Sequence, residues 1–234
     1  MKIAAFSPVY NEESLIKGCI ESFRGVVDRH IILLASQPFY GTPSPSDRTK
    51  EIAESLGATV VSGNWKNEPA MRNCGNLLLR NYDWILVNDA DMWWQRRELY
   101  KLLETMRTTT KNAICSPQLA YWYDTNHVLV GDGFCPVTAL RPNVRWHSVA
   151  CVNCDYELST AVVDHLNWCA PKDILKKVQT YSHANEYTGA KEWWENNWVG
   201  WQEGSPAIMP DGKFFDVAYN PLPQELRKYL VVDS

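Results

Sequence analysis

Between residues 3 and 87 the apolar residues change spacing again and again, from continuous strand-like runs to helical spacing and back. Ile3-Ala4-Ala5-Phe6, Ile31-Ile32-Leu33-Leu34-Ala35, Thr59-Val60-Val61 and Trp84-Ile85-Leu86-Val87 predict strands. Leu15, Ile16, Cys19, Ile20, Phe23, Val26 and Val27 predict a helix buried along one face; 47–56, closed by Gly57, and 70–82 predict two more. Strands that are apolar throughout need cover on both faces, and helices between them supply it through right-handed crossovers. The chain is therefore expected to be an α/β protein with a mainly parallel sheet flanked by helices. In such a sheet ligands bind beyond the carboxyl ends of the strands, so the polar segments that follow the strands are where chemistry is expected.

Three such segments stand out. Ser7-Pro8-Val9-Tyr10-Asn11-Glu12-Glu13 follows the first strand, with Asn11 expected to cap the next helix and Glu12-Glu13 in its first turn. A Pro-, Ser- and Gly-rich loop over 36–46 follows the second and leads to Asp47. Asp89-Ala90-Asp91 follows the fourth. On an extended backbone these two carboxylates point to one side, where together they can hold a divalent cation and, through it, a diphosphate.

Pro8-Val9-Tyr10-Asn11-Glu12-Glu13, Asp47-Arg48-Thr49, Gly57-Ala58, Arg72-Asn73 with Gly75-Asn76, and Trp84-Ile85-Leu86 leading into the Asp-x-Asp motif occur in that order within 1–95. In this the chain resembles the nucleotide-sugar-dependent glycosyltransferases of the GT-A fold, especially the family 2-like group. A fainter likeness to the C-terminal part of some members returns at His165-Leu166-Asn167-Trp168 and Tyr181-Ser182-His183-Ala184-Asn185-Glu186. The resemblance implies a GT-A domain over 1–234, Rossmann-like, with 1–95 binding a nucleotide sugar and an antiparallel and helical 96–234 facing the acceptor. It implies an inverting, metal-dependent transfer of a hexosyl or pentosyl group from a UDP- or GDP-sugar to a hydroxyl. Mn²⁺ or Mg²⁺ is the expected cofactor. Asp91 is expected to ligate the metal directly, Asp89 to ligate it or touch the ribose, and His165 to be a third ligand, as a late His is in some relatives. Pro8, Tyr10, Asn11, Glu12 and Asp47 are expected to hold the base and ribose, and Arg72 and Asn73 the diphosphate or Asp89.

The general base is less clear from the sequence. Relatives place a carboxylate in a His-Glu pair after an aromatic residue, but Arg145-Trp146-His147-Ser148-Val149-Ala150-Cys151 contains no acid. Asp155, Asp132 and Glu157 are the candidates. Relatives also carry an acidic turn after the second strand that reads the nucleobase, whereas this loop is longer and holds its carboxylate at Asp47.

Composition bounds the alternatives. With 45% hydrophobic content over 234 residues the chain can bury a substantial core, and a formal charge of -4 leaves no broad basic footprint for nucleic acid or anionic lipid. No signal-peptide pattern or apolar run of membrane-spanning length is present, so a cytoplasmic location is expected. The seven cysteines read as reduced thiols. Cys151-Val152-Asn153-Cys154, between His147 and His165, fits paired core thiols better than a zinc knuckle. His183 reads as a residue on a solvated face.

Beyond the acidic pair a helix is expected over 94–106. Short strands follow at 113–115, 120–123 and 128–130, then helices at 172–181 and in the Trp-rich 191–201, with irregular chain over 204–223. Among the eleven Trp residues, Trp93, Trp94, Trp193, Trp194, Trp198 and Trp201 could stack on sugar or base faces. The acceptor is open between glycan, lipid, protein, metabolite and modified nucleobase. A sugar nucleotidyltransferase is disfavoured by the lack of a Gly-rich, Arg-containing N-terminal loop. A non-catalytic carbohydrate-binding protein is the third reading.

Overall fold

The computed structural model describes residues 1–148, 152–169, 173–180, 184 and 189–230. Its first part runs β1 (Ile3–Val9), α1 (Ile16–Ser22), β2 (Arg29–Ala35), α2 (Thr49–Ser55), β3 (Thr59–Gly63), α3 (Glu68–Leu78) and β4 (Trp84–Val87). Then come β5 (Met92–Trp93), α4 (Arg96–Thr108), β6 (Ala113–Cys115), β7 (Gln118–Tyr123), β8 (His127–Leu129), β9 (Val137–Leu140), β10 (Tyr156–Leu158) and β11 (Val163–Cys169). The chain finishes with α5 (Ile174–Thr180), α6 (Ala190–Trp193) continuing into a π-helical turn (Trp194–Val199), β12 (Ala207–Ile208), β13 (Phe214–Phe215), β14 (Val217–Tyr219) and α7 (Gln224–Arg227).

The main sheet has the order β10-β6-β9-β4-β1-β2-β3. β4, β1, β2 and β3 pair in parallel, while β9 runs antiparallel to both β4 and β6. This bears out the expected α/β architecture. The period of two along β1 explains the layering: Ile3 and Ala5 pack with Leu99, Leu102 and Met106 of α4, whereas Ala4 and Phe6 pack with Met71 of α3. Each fully buried Leu on α4 contributes roughly 1.5–3 kcal/mol. Close approach dictates Gly75, because a Cβ there would lie 2.6 Å from the Phe6 ring.

Capping follows local chemistry in part. Asn67 Oδ1 accepts the Ala70 amide (3.0 Å) at the start of α3, and Gly57, at φ +86°, ends α2 as expected. Asn11 does not cap α1. It takes a left-handed φ of 50° and turns its amide to the 36–46 loop, while Leu15 precedes the helix without a side-chain cap.

A second sheet has the order β14-β8-β7-β11-β5. The expectation of an antiparallel extension holds for β7 with β8 and β8 with β14, but β7 pairs in parallel with β11, a strand far along the chain. Residues 204–223 are not wholly irregular, since β12, β13 and β14 form within them. The six cysteines described are free. Cys151, Tyr181, Ser182, His183, Asn185, Glu186 and the start of the helix expected from 172 lie outside the described residues. Among the described residues no three His, Cys, Asp or Glu side chains gather as a metal site, and no helix is long and apolar enough to cross a membrane.

Candidate active site

A cavity of about 640 Å³ opens at the carboxyl ends of β1, β2 and β4. Its wall includes Pro8, Tyr10, Asn11, Glu12, Asp47, Arg72, Asp89, Asp91 and His165, so the fold brings together nine of the residues singled out in the sequence.

The two carboxylates reach it from a turn rather than from an extended strand. The Met92 amide donates to the Asp89 carbonyl (3.0 Å), reversing the chain between β4 and β5. Asn88, which the sequence reading passed over, fixes this turn: its buried amide donates to the Met92 carbonyl (2.7 Å), and its Oδ1 accepts the Trp94 indole N–H (2.9 Å). Trp93 braces the turn from below and donates to the Leu15 and Ala90 carbonyls at 3.2 Å each. Trp93 and Trp94 are thus core props and not sugar platforms.

Beneath the turn runs a buried polar chain. The Asn88 amide meets Cys19 Sγ (3.2 Å), Cys19 meets Ser7 Oγ (3.2 Å), and Ser7 meets His30 Nε2 (2.9 Å). Burial pushes the Cys19 thiol up to about 12 and the His30 imidazole down to about 3.

Asp89 and Asp91 have different partners. Arg72 Nη2 donates to Asp89 at 2.8 and 3.2 Å, and its Nε donates to Glu68 (2.7 Å). Confinement pushes the Asp89 carboxyl above the ordinary carboxylate range, with the guanidinium opposing. Burial works against the Arg72 charge too, but Asp89 and Glu68 outweigh it and hold the guanidinium above its usual value. Asp91 instead faces the second sheet. Its Oδ1 lies 3.2 Å from His165 Nε2 and its Oδ2 lies 3.4 Å from the Lys177 ammonium, which also donates to the Asn167 carbonyl (2.9 Å). His165 sits within β11, beside a register shift, rather than at a strand end.

The remaining wall is braced by loops. Tyr10 Oη accepts the Ser44 amide (2.9 Å), and Asn11 Nδ2 donates to Ser44 Oγ (3.0 Å) and the Pro45 carbonyl (2.9 Å). Asp47 accepts the amides of Glu13 (3.0 Å) and Thr49 (2.9 Å), tying the first turn to the start of α2.

Asn73 is not on the wall. It clamps the Trp146 backbone, donating to the carbonyl (2.8 Å) and accepting the amide (3.0 Å), and Trp146 in turn lies under the Arg72 guanidinium, 5.0 Å from ring centroid to Cζ. The three candidate bases also lie off the wall. Asp155 pairs with Lys111 (2.6 Å) at the surface, Glu157 sits on β10, and Asp132 accepts from Gln118 Nε2 (2.5 Å). Trp193, Trp194, Trp198 and Trp201 are off it as well. Trp193 is core, edge-on to Trp122 and Trp168, while Trp198 and Trp201 pack on Tyr123 at 5.2 and 5.1 Å. Wall residues missed in the sequence include Glu68, Trp146 and Asn167, together with Asp173 just before α5 and Lys176 and Lys177 within it. The Lys-Lys pair in the helix predicted there was the available signal for the last two.

A profile of the family described as "Glycosyl transferase family 2" matches residues 5–143. An uncharacterized glycosyltransferase of Rickettsia bellii is 34% identical over 90 residues, covering 38% of this chain; the chain spans 28% of that relative's length. Among solved structures, S. aureus TarS 1-349 in complex with UDP-GlcNAc aligns with a TM-score of 0.52 at 12% identity, over 83% of this chain and 64% of that one. Glucosyl-3-phosphoglycerate synthase from Mycobacterium tuberculosis, in complex with Mn²⁺, UDP and phosphoglyceric acid, aligns with a TM-score of 0.41 at 21% identity, over 50% and 43%. With more than half its length matched by the profile, and the acidic turn in place at the carboxyl edge of a GT-A-like sheet, this chain belongs to glycosyl transferase family 2.

Proposed function

We propose that the chain transfers a glycosyl group, with inversion, from a UDP- or GDP-sugar to a hydroxyl acceptor in the presence of Mn²⁺ or Mg²⁺. The observation that carries this reading is the meeting of Asp91, His165 and Lys177 with Asp89 and Arg72 on one cavity at the carboxyl edge of the sheet. An imidazole nitrogen and a carboxylate oxygen, 3.2 Å apart, are a donor set suited to Mn²⁺ or Mg²⁺ when substrate phosphates complete the coordination. Asp91 and His165 would hold the cation, which when bound offsets the charge that grows on the departing diphosphate.

The chain's own groups account for the rest. Lys176, Lys177 and Arg72 give the wall its cationic donors for phosphate oxygens. The Asn88-locked turn keeps the acidic pair from shifting as charge develops. The acceptor oxygen attacks the anomeric carbon, whose bond to the phosphate oxygen breaks with the electron pair leaving on the nucleoside diphosphate. The acceptor proton passes to a carboxylate. Among the described residues, Asp173 is the one carboxylate that the chain beyond residue 96 contributes to the wall, and we assign it this part in place of Asp155, Asp132 and Glu157.

The test is a panel of UDP- and GDP-sugars incubated with Mn²⁺ or Mg²⁺ and no acceptor. Slow release of UDP or GDP that stops on chelation is the expected result. No release from any donor, together with no calorimetric binding of either nucleoside diphosphate, refutes the reading.

A further inference from the structure

Asp132 is off the cavity wall, yet it stands at the head of a hydrogen-bond series that ends inside it. Its Oδ2 accepts from Gln118 Nε2 (2.5 Å), and Gln118 Oε1 lies 2.7 Å from His165 Nδ1. His165 Nε2 then faces Asp91 Oδ1 at 3.2 Å. The polarity of this series is fixed from Asp132 as far as His165 Nδ1. A carboxylate at Asp132 needs a donor, so the Gln118 NH₂ faces it and the Gln118 carbonyl oxygen faces the ring. A carbonyl oxygen accepts only, so Nδ1 carries the ring proton. In the neutral ring Nε2 is left with a lone pair, directed toward a carboxylate oxygen. That oxygen can be met by an Nε2–H when the ring is charged or, when it is neutral, by a cation shared with Nε2; the Lys177 ammonium already lies 3.4 Å from the other oxygen of Asp91.

The start of the series lies in a glycine turn. Asp132 sits between Gly131 and Gly133, whose φ angles of +77° and +63° belong to the left-handed region that side-chain-bearing residues seldom adopt. Gln118 and His165 are held by the parallel pairing of β7 with β11, in which Val163 lies opposite Gln118 and His165 opposite Ala120.

We propose that Asp132 and Gln118 are positioning residues that fix His165 as the Nδ1–H tautomer, so that Nε2 and Asp91 together accept a divalent cation. The inference rests on the metal-dependent reading above and adds to it the groups that prepare the imidazole. Outer partners of this kind orient a ligating His, and their loss typically lowers metal affinity 10- to 100-fold.

The experiment has two readouts. Nitrogen NMR of the metal-free protein, with the His165 ring assigned by its loss in His165→Gln, reports which ring nitrogen is protonated. Titration with Mn²⁺ in saturating UDP, and in parallel GDP, reports cation affinity. In alkaline solution, where the ring carries a single proton, the wild type is expected to hold it on Nδ1 and leave Nε2 unprotonated. In Gln118→Leu the ring should lose that preference and Mn²⁺ should bind about 10- to 100-fold more weakly. The double variant Gln118→Glu with Asp132→Asn keeps the donor-acceptor order, since Asn donates to Glu and Glu accepts from Nδ1, and should restore affinity to within about 3-fold of the wild type. A singly protonated wild-type ring with its proton on Nε2, unchanged Mn²⁺ affinity in Gln118→Leu, or no rescue in the double variant overturns the positioning role while leaving the metal site standing. A wild type that binds no Mn²⁺ with either nucleotide overturns both readings.

Discussion

The part of the molecule before residue 96 and the part after it build the two sides of one cavity by different means. In the first, Pro8, Tyr10, Asp89 and Asp91 lie at or just beyond the ends of β1 and β4, which pair in parallel and so bring them to the same edge, while α3 adds Glu68, Met71 and Arg72. In the second, the wall is assembled from β11, α5 and the loop before β9, which meet only through pairings between distant segments. The contrast teaches that the first side is fixed by local rules and the second by tertiary ones. The first tolerates reasoning from spacing. The second demands coordinates.

The widest separation between the two sides should come from Asp91. Asp91→Asn keeps the shape and the turn but removes the charge facing His165 and Lys177, so turnover should fall about 10³-fold or more while the melting temperature stays within a few degrees. An active Asp91→Asn protein would break the assignment of chemistry to the seam between the regions. Next is a contrast within the Trp-rich segment. Trp193 is buried and donates to the Ile208 carbonyl (2.7 Å), so Trp193→Ala should lower stability by about 3–5 kcal/mol in denaturant titrations. Trp198→Ala, at a half-buried ring, should destabilise less and leave UDP or GDP affinity nearly intact.

Arg72 sharpens the comparison from the other side. Removing its guanidinium leaves Glu68 and Asp89 facing each other without a counter-ion, and Arg72→Ala should destabilise by about 3 kcal/mol and weaken nucleoside diphosphate binding. If Trp198→Ala lost nucleotide affinity as severely as Arg72→Ala, the division between the two regions would fail.

The last effect is absent at neutral pH and appears only in acid. His30 has a folded value near 3 against about 6.5 when unfolded, so below pH 6.5 the unfolded chain takes up a proton that the folded one refuses. Stability should fall as pH drops from 6.5 toward 3, with no contribution from this group above 6.5. Burial raises Asp164 to about 6, which acts in the opposite sense, favouring the folded state as pH drops below 6. Subtracting the stability curve of His30→Gln from that of the wild type isolates the histidine, and the difference should widen steadily with acid. A flat difference contradicts it.

How much could be read beforehand follows from the same division. The strand at Trp84–Val87 coincided with the expectation because it is apolar on both faces and flanked by polar residues. The helix expected over 70–82 starts two residues late and runs four too far against α3, since Asn67 and Pro69 supply the start signal and the apolar spacing begins only at Met71. The acidic pair was legible as a motif, although its geometry is a turn, because nothing in Asp89-Ala90-Asp91 itself reveals that Asn88 bonds forward to Met92. Asp155, Asp132 and Glu157 lie off the wall, and the sequence does not announce this because carboxylates carry no periodic signal. Asp155 and Asp173 look alike in sequence, and only the packing of α5 puts one on the wall. Trp193 and Trp194 are likewise adjacent in the chain, and helical rotation buries one and not the other.

The polar chain under the acidic turn also makes Cys19 a clock. Its thiol is enclosed, protonated at any physiological pH and joined to Asn88, the residue that locks the turn, so a thiol reagent can reach it only when that part of the core opens. Cys74, Cys135 and Cys154, half-buried, should label first and set the baseline. The interval before Cys19 follows then reads out how often the floor of the cavity comes apart, without any substitution in the protein.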